Sequence, residues 1–137
     1  MKDIPYLMFN GNCEEAFMLY ARTLGGTLDS LMHFGQSPAA TQVPADYQDK
    51  VMHVHLTLGN QALMGSDCPP GMPVSPMQGC AVSLNVDSVA EAERVFAGLS
   101  AGGEVRMPLE KTFWAERFGM FSDRYGVSWM VNCEKDQ

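Results

Sequence analysis

The fold is decided by a stretch near the N-terminus, Asn12-Cys13-Glu14-Glu15-Ala16, because nearly the same pattern recurs as Ser88-Val89-Ala90-Glu91-Ala92. In each copy a residue that favours the N-cap position is followed three positions later by Glu. This is the pattern of a capping box, so each stretch predicts the start of a helix. Both helices are predicted to end at a Gly-Gly pair, Gly25-Gly26 and Gly102-Gly103. The chain therefore contains a duplicated structural unit.

Strand-like segments surround each predicted helix in the same order. The predicted strands are 4–10, 27–34, 51–58 and 61–66 in the first copy, and 80–86, 104–109, 118–122 and 127–133 in the second. Each copy is thus a βαβββ module, with module one at 1–66, a Pro-rich linker at 67–79 and module two at 80–137. Because strands outnumber helices and follow one another as hairpins, we expect an α+β fold in which the two tandem modules form a curved mixed sheet.

Composition narrows the class of protein and its partners. The 137 residues are 46% hydrophobic and 18% charged, which is typical of a single globular domain over 1–137. The net charge of −7 argues against a nucleic-acid partner. The sequence has no apolar run of transmembrane length and no signal peptide, so we expect a cytoplasmic protein without a membrane partner.

The four cysteines are far apart in the sequence and are expected to be free thiols. Cys13 is the one candidate for a reactive thiol, because it is predicted to lie in the first turn of a helix. The dipole and the free N–H groups at that position can lower the pKa of a thiol.

Alternation along the strands separates an apolar face from a mixed face. In 51–58 one face carries Val54 and Leu56, and the other carries His53 and His55. The faces that match the histidine face combine Met, Ser, Asn and His, which is too polar for a core and too apolar for open surface. This composition predicts a cavity that binds a small molecule. The predicted cavity residues are Tyr6, Met8, His53, His55, Met64, Ser66, Ser83, Trp114, Arg117, Met120, Ser128 and Met130.

Trp114 and Arg117 have two interpretations, and both place them in an irregular segment over 112–117. In one, Trp114 forms an aromatic lid and Arg117 orients an anionic ligand. In the other, Trp114 closes the end of the sheet and Arg117 pairs with Glu110 or Glu116 on the surface.

His53 and His55 are the only candidates for chemistry that the strand pattern offers. His53 is a weak candidate for a general base, and catalytic residues are otherwise unknown. The two imidazoles would bind a metal only with a third donor, such as Asp67 or Cys68, and neither has a diagnostic spacing. We find no G-x-S-x-G, H-E-x-x-H or P-loop motif, so whether the protein is an enzyme stays open.

Three segments, 5–12, 52–53 with 63–67, and 112–120, resemble the PhnB-like branch of the vicinal oxygen chelate superfamily, which includes glyoxalase I, bleomycin-resistance proteins and extradiol dioxygenases. The resemblance covers the whole chain and implies a homodimer. Proteins of this branch have also carried the label of a demethylubiquinone methyltransferase. This sequence has no Gly-rich loop between a strand and a helix for a nucleotide-like cofactor, so we expect no cofactor.

The superfamily's enzymes usually hold a divalent metal with four side chains, and the resemblance places these positions at Tyr6, Met64, Ala81 and Met130. None of the four offers imidazole or carboxylate, so we expect no metal. The leading hypothesis is a PhnB-like protein that binds a small molecule without the usual metal. The alternatives are a metal-dependent lyase, isomerase or dioxygenase with an unorthodox His53/His55 site, and a resistance protein that sequesters its ligand.

Overall fold

The computed structural model describes residues 1–72 and 74–135, which divide into two units, Met1–Ser75 and Pro76–Gln137. The elements of the first unit are β1 (Tyr6–Phe9), α1 (Cys13–Leu24), β2 (Thr27–His33), β3 (Val51–Leu58) and β4 (Gln61–Asp67). Those of the second are β5 (Val82–Val86), α2 (Val89–Ser100), β6 (Glu104–Glu110), β7 (Ala115–Ser122) and β8 (Ser128–Glu134). The predicted α+β fold of two βαβββ modules is confirmed. That the two units make one domain stays a prediction.

Each unit has one mixed four-stranded sheet, and the two sheets have the same topology. The strand order is β1-β4-β3-β2 in the first unit and β5-β8-β7-β6 in the second. The first and last strands of each module are parallel neighbours, whereas the other pairs are antiparallel. Pro73 of the predicted linker, and Asp136 and Gln137 of predicted module two, lie outside the described residues. Within the described residues, no helix is long and apolar enough to cross a membrane.

A close approach of helix to sheet at one glycine per unit fixes which sheet face each helix covers. A Cβ atom on Gly65 of β4 would lie 2.7 Å from a ring carbon of Phe17 on α1. A Cβ atom on Gly119 of β7 would lie 2.6 Å from a ring carbon of Phe96 on α2. Residues that alternate with these glycines along the strand, such as Met64 and Met120, therefore project from the opposite face of their sheet.

The two helices begin in different ways, although the sequence predicts a capping box for both. The Ser88 hydroxyl accepts a hydrogen bond from the Glu91 N–H at 3.1 Å, as predicted. The Asn12 side chain makes no capping bond, so that prediction is wrong. In its place, Oδ1 of Asp67 accepts the N–H groups of Gly11 at 2.8 Å and Cys13 at 3.0 Å. A carboxylate is a stronger acceptor than an amide and also interacts favourably with the helix dipole.

The start of β7 also differs from the prediction. The strand begins at Ala115 and not at 118, so the irregular segment expected over 112–117 is shorter and Arg117 belongs to the strand. The reason is a tight turn in which Thr112 and Ala115 exchange two hydrogen bonds. The Thr112 N–H donates to the Ala115 carbonyl at 3.0 Å, and the Ala115 N–H donates to the Thr112 hydroxyl at 3.0 Å.

Asp67→Asn should destabilise the first unit strongly. In the wild-type protein, Oδ2 of Asp67 accepts the Val51 N–H at 2.9 Å, in addition to the two bonds of Oδ1. Asp67 is only 2% exposed, so three backbone donors share one buried carboxylate. An amide group at this position turns an NH₂ toward donors, and we expect the free energy of unfolding to fall by about 3 kcal/mol. Urea denaturation measures the change. The control Asp46→Asn, at an exposed position of the short 3-10 helix Ala45–Tyr47, should change little, and equal effects of the two variants would contradict this role of Asp67.

Candidate functional site

The mixed face of the first sheet, the face turned away from α1, carries the residues that the sequence predicts as cavity lining in module one. Strand register places Tyr6 opposite Met64, and Met64 opposite His55. Met8 lies opposite Ser66, whose hydroxyl is 3.8 Å from the Met8 sulfur. Tyr6 and Met8 are 44% and 43% exposed, so this face is open within its own unit.

His53 and His55 share the mixed face, but their partners differ. Nδ1 of His53 is 3.2 Å from the Tyr6 hydroxyl, and the two rings stack with centroids 5.8 Å apart. Nδ1 of His55 is 3.0 Å from Oδ2 of Asp29. Each imidazole is therefore held by its own neighbour, and the structure does not gather the two around a common third donor.

Asp29 reaches His55 because β2 has a bulge. The pairing of β2 with β3 shifts between Leu28 and Ser30, which leaves Asp29 as the extra residue. Its carboxylate accepts hydrogen bonds from the Thr57 hydroxyl and from His55. These bonds, that of Thr57 first, hold the pKa of Asp29 below its usual value. Asp29 was missed at the level of the sequence because strict alternation of strand residues assumes that the strand has no bulge.

His33 is the third histidine of the chain, and the sequence did not single it out. Its Nε2 is 2.6 Å from a carboxylate oxygen of Glu14 on α1, and its Nδ1 is 3.2 Å from the side-chain oxygen of Gln36. Both partners accept hydrogen bonds, so the doubly protonated ring satisfies both. The bond to Glu14 is the main cause of a raised pKa for His33, and the negative charge of Asp49 adds to it.

The mixed face of the second sheet, turned away from α2, has a row of side chains across all four strands. Ser83 lies opposite Met130, Met130 opposite Met120, and Met120 opposite Met107. The sequence predicted the first three of these residues as cavity lining. Met107 was missed because the pairing of β6 with β7 also shifts, between Val105 and Met107, and the shift changes the alternation of β6.

A cavity of about 320 Å³ opens on this face and is lined in part by Ala81, Arg106, Met120, Ser128 and Met130. Arg106 is the residue at the β6 shift and is exposed. It forms no ion pair with any described residue. Ser128 is only 5% exposed, and its hydroxyl has no hydrogen-bond partner in the described part of the chain.

Trp114 lies in an aromatic cluster just before β7. Its ring makes edge contacts with Phe113 at 4.8 Å and with Phe118 at 5.3 Å between centroids. Phe118 is buried, whereas Phe113 is 87% exposed and Trp114 is 46% exposed. Whether Trp114 contacts a ligand stays a prediction.

Arg117 pairs with a carboxylate, as one of its two interpretations predicted, but the partner is Glu93 and not Glu110 or Glu116. Its guanidinium Nε is 3.9 Å from a carboxylate oxygen of Glu93 on α2, and Nη1 donates to the Glu116 carbonyl at 2.6 Å. Arg117 alternates with Met120 across β7 and so belongs to the helix side of the sheet, together with Gly119. The prediction of a cavity position is therefore corrected. The reason is the earlier start of β7, which fixes the direction of this side chain.

The positions of the superfamily's metal ligands do not fit a divalent ion. Tyr6 of β1 lies opposite Met64 of β4. Ala81 lies just before β5, and the residue of β5 that lies opposite Met130 is Ser83. A phenol, two thioethers and a hydroxyl or methyl group are poor ligands for such an ion. Among the described residues, no group of three or more His, Cys, Asp and Glu side chains is arranged to hold a metal.

Cys13 is not a reactive thiol. It is fully buried, and this burial raises its pKa, with further increases from the negative charges of Asp67 and Glu14. Burial outweighs the helix dipole here, so the expectation of a lowered pKa is wrong. The four cysteines are free, as predicted. The N–H groups of Gly11 and Cys13 at the start of α1 are not available to a ligand, because Asp67 already accepts them.

A model of the protein family described as 3-demethylubiquinone-9 3-methyltransferase matches residues 1–132. The chain belongs to this PhnB-like family. Protein YjdN of Escherichia coli is 36% identical over 97% of this chain and 95% of its own length. The crystal structure of protein PA1353 from Pseudomonas aeruginosa has 57% identity and a TM-score of 0.91, and the match covers 99% of each chain.

Two further structures are similar to this PhnB-like protein. A Bacillus cereus PhnB protein, titled a putative 3-demethylubiquinone-9 3-methyltransferase, is 26% identical with a TM-score of 0.77, over 97% of this chain and 99% of that one. A glyoxylase/bleomycin resistance protein/dioxygenase domain from Frankia has a TM-score of 0.65 at 12% identity, over 97% and 94% of the two chains, which shows the shared fold. The predicted resemblance to the PhnB-like branch is therefore confirmed.

The methyltransferase label implies a cofactor with an anionic group, and the residues of the PhnB-like protein do not fit one. Nucleotide-like cofactors place such a group at a helix N-terminus that follows a strand. The N–H groups at the start of α1 are taken by the buried Asp67 carboxylate, and α2 begins with the N-cap of Ser88. The starts of α1 and α2 therefore do not provide a site for the anionic group of such a cofactor.

The His33–Glu14 pair should give the stability a pH dependence. Because the folded state raises the pKa of His33, its stabilisation is fully present below about pH 6.5 and is lost as the pH rises through the folded-state pKa. A double-mutant cycle of His33→Gln and Glu14→Gln, measured by urea denaturation, should give a coupling of at most about 1 kcal/mol in acid. The coupling should vanish in alkaline solution. A coupling that is constant with pH would contradict the assignment.

Proposed function

We propose that the protein binds a small molecule with an apolar body and a negatively charged group, and that no divalent metal takes part. The observation that carries the proposal is the buried hydroxyl of Ser128, which has no partner among the described residues and borders an open cavity. A buried polar group without a partner costs about 1–3 kcal/mol, which a ligand that supplies the missing hydrogen bond would recover.

The chemistry of the cavity wall supports this class of ligand. Met120 and Met130 offer flexible, polarisable surface that adapts to apolar shapes. Arg106 lines the same cavity and has no ion-pair partner in the described ranges, so its guanidinium is available to a carboxylate, sulfonate or phosphate group. Ser83, opposite Met130, adds a second hydroxyl at the edge of the row.

The proposal can be tested with anilinonaphthalene sulfonate, a fluorescent probe that has both an aromatic body and one negative charge. We expect saturable binding to the folded protein, and an affinity about tenfold weaker in Arg106→Gln because a charge-assisted hydrogen bond is lost. Ser128→Ala should also weaken binding. Fluorescence titration measures the dissociation constant, and circular dichroism checks that each variant is folded.

The matched control is Arg94→Gln, on the exposed surface of α2. Arg94 pairs with Glu91 at 2.7 Å and does not line the cavity, so its removal changes the net charge equally but should leave probe binding unchanged. If Arg94→Gln and Arg106→Gln weaken binding equally, or neither does, the cavity is not the binding site. Binding without turnover of any ligand would favour the sequestration alternative.

The metal-dependent alternative makes a different prediction. A lyase, isomerase or dioxygenase with a His53/His55 site requires a bound metal, whereas the separate partners of the two imidazoles support a metal-free protein. We expect elemental analysis of the purified protein to find less than stoichiometric Zn, Ni, Fe or Mn. A stoichiometric metal that is lost in His53→Ala would overturn the proposal.

We also infer a homodimer in the cytoplasm. Each sheet ends in edge strands, β1 and β2 or β5 and β6, and such strands offer backbone N–H and C=O groups to a second chain. Val105 and Met107 of β6 add exposed apolar surface. The free state of the four cysteines supports a reducing compartment. Analytical ultracentrifugation would separate a dimer from a monomer.

A further inference from the structure

Three side chains of the first unit form a connected polar cluster on the mixed face. Oδ2 of Asp29 accepts a hydrogen bond from the Thr57 hydroxyl and lies 3.0 Å from Nδ1 of His55. Asp29 occurs at the bulge of β2, whereas His55 and Thr57 are neighbours on one face of β3. The side chains of His55 and Asp29 are 30% and 44% exposed, so the cluster is accessible to a small molecule.

The geometry assigns the proton positions on His55. The Asp29 carboxylate can only accept hydrogen bonds, and its lowered pKa keeps it ionised. Nδ1 of His55 must therefore carry the proton that the bond requires. In the neutral ring Nε2 then has a lone pair, and no described residue supplies a hydrogen-bond partner for it.

The other two imidazoles of the chain lack this arrangement. Both ring nitrogens of His33 face acceptors, so its neutral form would break one of the two bonds. His53 has only the Tyr6 hydroxyl beside Nδ1, and a hydroxyl either donates or accepts, so it does not fix the position of the proton. Only His55 combines a carboxylate that orients the ring with an unused nitrogen.

A cavity of about 450 Å³ adjoins this cluster, and its polar lining consists of His55, Thr57, Lys2, Asn60 and Gln61 together with one carboxylate, that of Asp3. The ammonium group of Lys2 and the two side-chain amides are donors that can stabilise negative charge on an oxygen atom. A substrate that loses a proton to His55 acquires such a charge. The cavity therefore suits an acid whose conjugate base is an oxyanion.

We propose that His55 is a general base, oriented by Asp29, for a small enolisable carbonyl compound bound in this cavity. The Nε2 lone pair takes a proton from the carbon next to the carbonyl group. The electrons of the C–H bond form the C=C bond of an enolate, and the carbonyl oxygen takes the negative charge. Return of the proton from the imidazolium to the same or another carbon completes an exchange or isomerisation, so no other reactant is needed.

Nitrobenzisoxazole provides a direct test, because removal of its ring C–H proton breaks the N–O bond and releases a coloured phenolate. We expect the wild-type protein to accelerate this reaction in mildly alkaline buffer. His55→Gln, which keeps a side chain of similar size, should reduce kcat/KM about a hundredfold, at the lower end of what a positioned base contributes. Equal rates for the wild-type protein and His55→Gln overturn the proposal, as does the absence of any acceleration.

His33→Gln is the matched control, because it removes another imidazole that lies beside a carboxylate in the same unit. Its rate should equal that of the wild-type protein. A loss in His33→Gln as large as that in His55→Gln would mean that the effect is structural, and would also overturn the assignment. Far-UV circular dichroism confirms that both variants are folded before their rates are compared.

Asp29 is a positioning residue, and its role has a spectroscopic signature. In ¹⁵N NMR spectra of the imidazoles, neutral His55 should show a protonated Nδ1 and a bare Nε2. Asp29→Asn offers an amide in place of the carboxylate and should produce a mixture of tautomers together with a lower rate. Asp46→Asn should change neither. A wild-type His55 ring that is protonated at Nε2 contradicts the proposal independently of any rate.

Discussion

The first unit depends on one buried carboxylate. Asp67 terminates β4, yet its two oxygens accept N–H groups from the turn before α1 and from the first residue of β3. A single side chain therefore fixes the start of a helix and the start of a strand against the end of a second strand. Because a buried carboxylate is costly unless its bonds are complete, this arrangement excludes small shifts of α1 over the sheet. The second unit also has a buried carboxylate with three donors, since Asp123 accepts the backbone N–H groups of Tyr125 and Val127 and the indole N–H of Trp129.

The two modules also share a β-bulge, which brings a charged residue to the mixed face of each sheet. Both the second and the sixth strand shift register near their starts, at Asp29 and at Arg106. A bulge re-aims one side chain while the remainder of the strand keeps its pairing. In each unit the bulge residue is charged and meets a face that otherwise consists of Met, Ser, His and aromatic residues. The two modules therefore both have a charged residue at this bulge, which is negative in the first module (Asp29) and positive in the second (Arg106).

The sequence predicted the fold well because the fold depends on local signals. Alternation in β3, the N-cap at Ser88 and the left-handed C-cap at Gly25 each depend on a few adjacent residues, whereas α2 ends at Ser100, before the Gly-Gly pair predicted to end it. The predictions fail where burial or a residue that is distant in the sequence determines the local structure. Asn12 loses its capping role to Asp67, which is remote in the sequence, and Cys13 is governed by burial and not by its helical position. Asp29 was missed because a bulge changes the face to which its side chain belongs, and the cavity position predicted for Arg117 did not allow for the early start of β7.

The resemblance places Tyr, Met and Ala at the metal-ligand positions of the superfamily's enzymes, and these residue types would change how such a face binds a ligand. A divalent ion fixes a ligand through a few short, directional bonds, whereas thioether and phenol groups interact mainly by dispersion and shape. Orientation and charge recognition then have to come from elsewhere in the sheet. In the functions that we propose, the bulges near the starts of β2 and β6 supply them, through Asp29 beside His55 and through Arg106 beside the methionine row. In these proposed functions, orientation and charge recognition therefore depend on side chains that the strand alternation alone would not reveal.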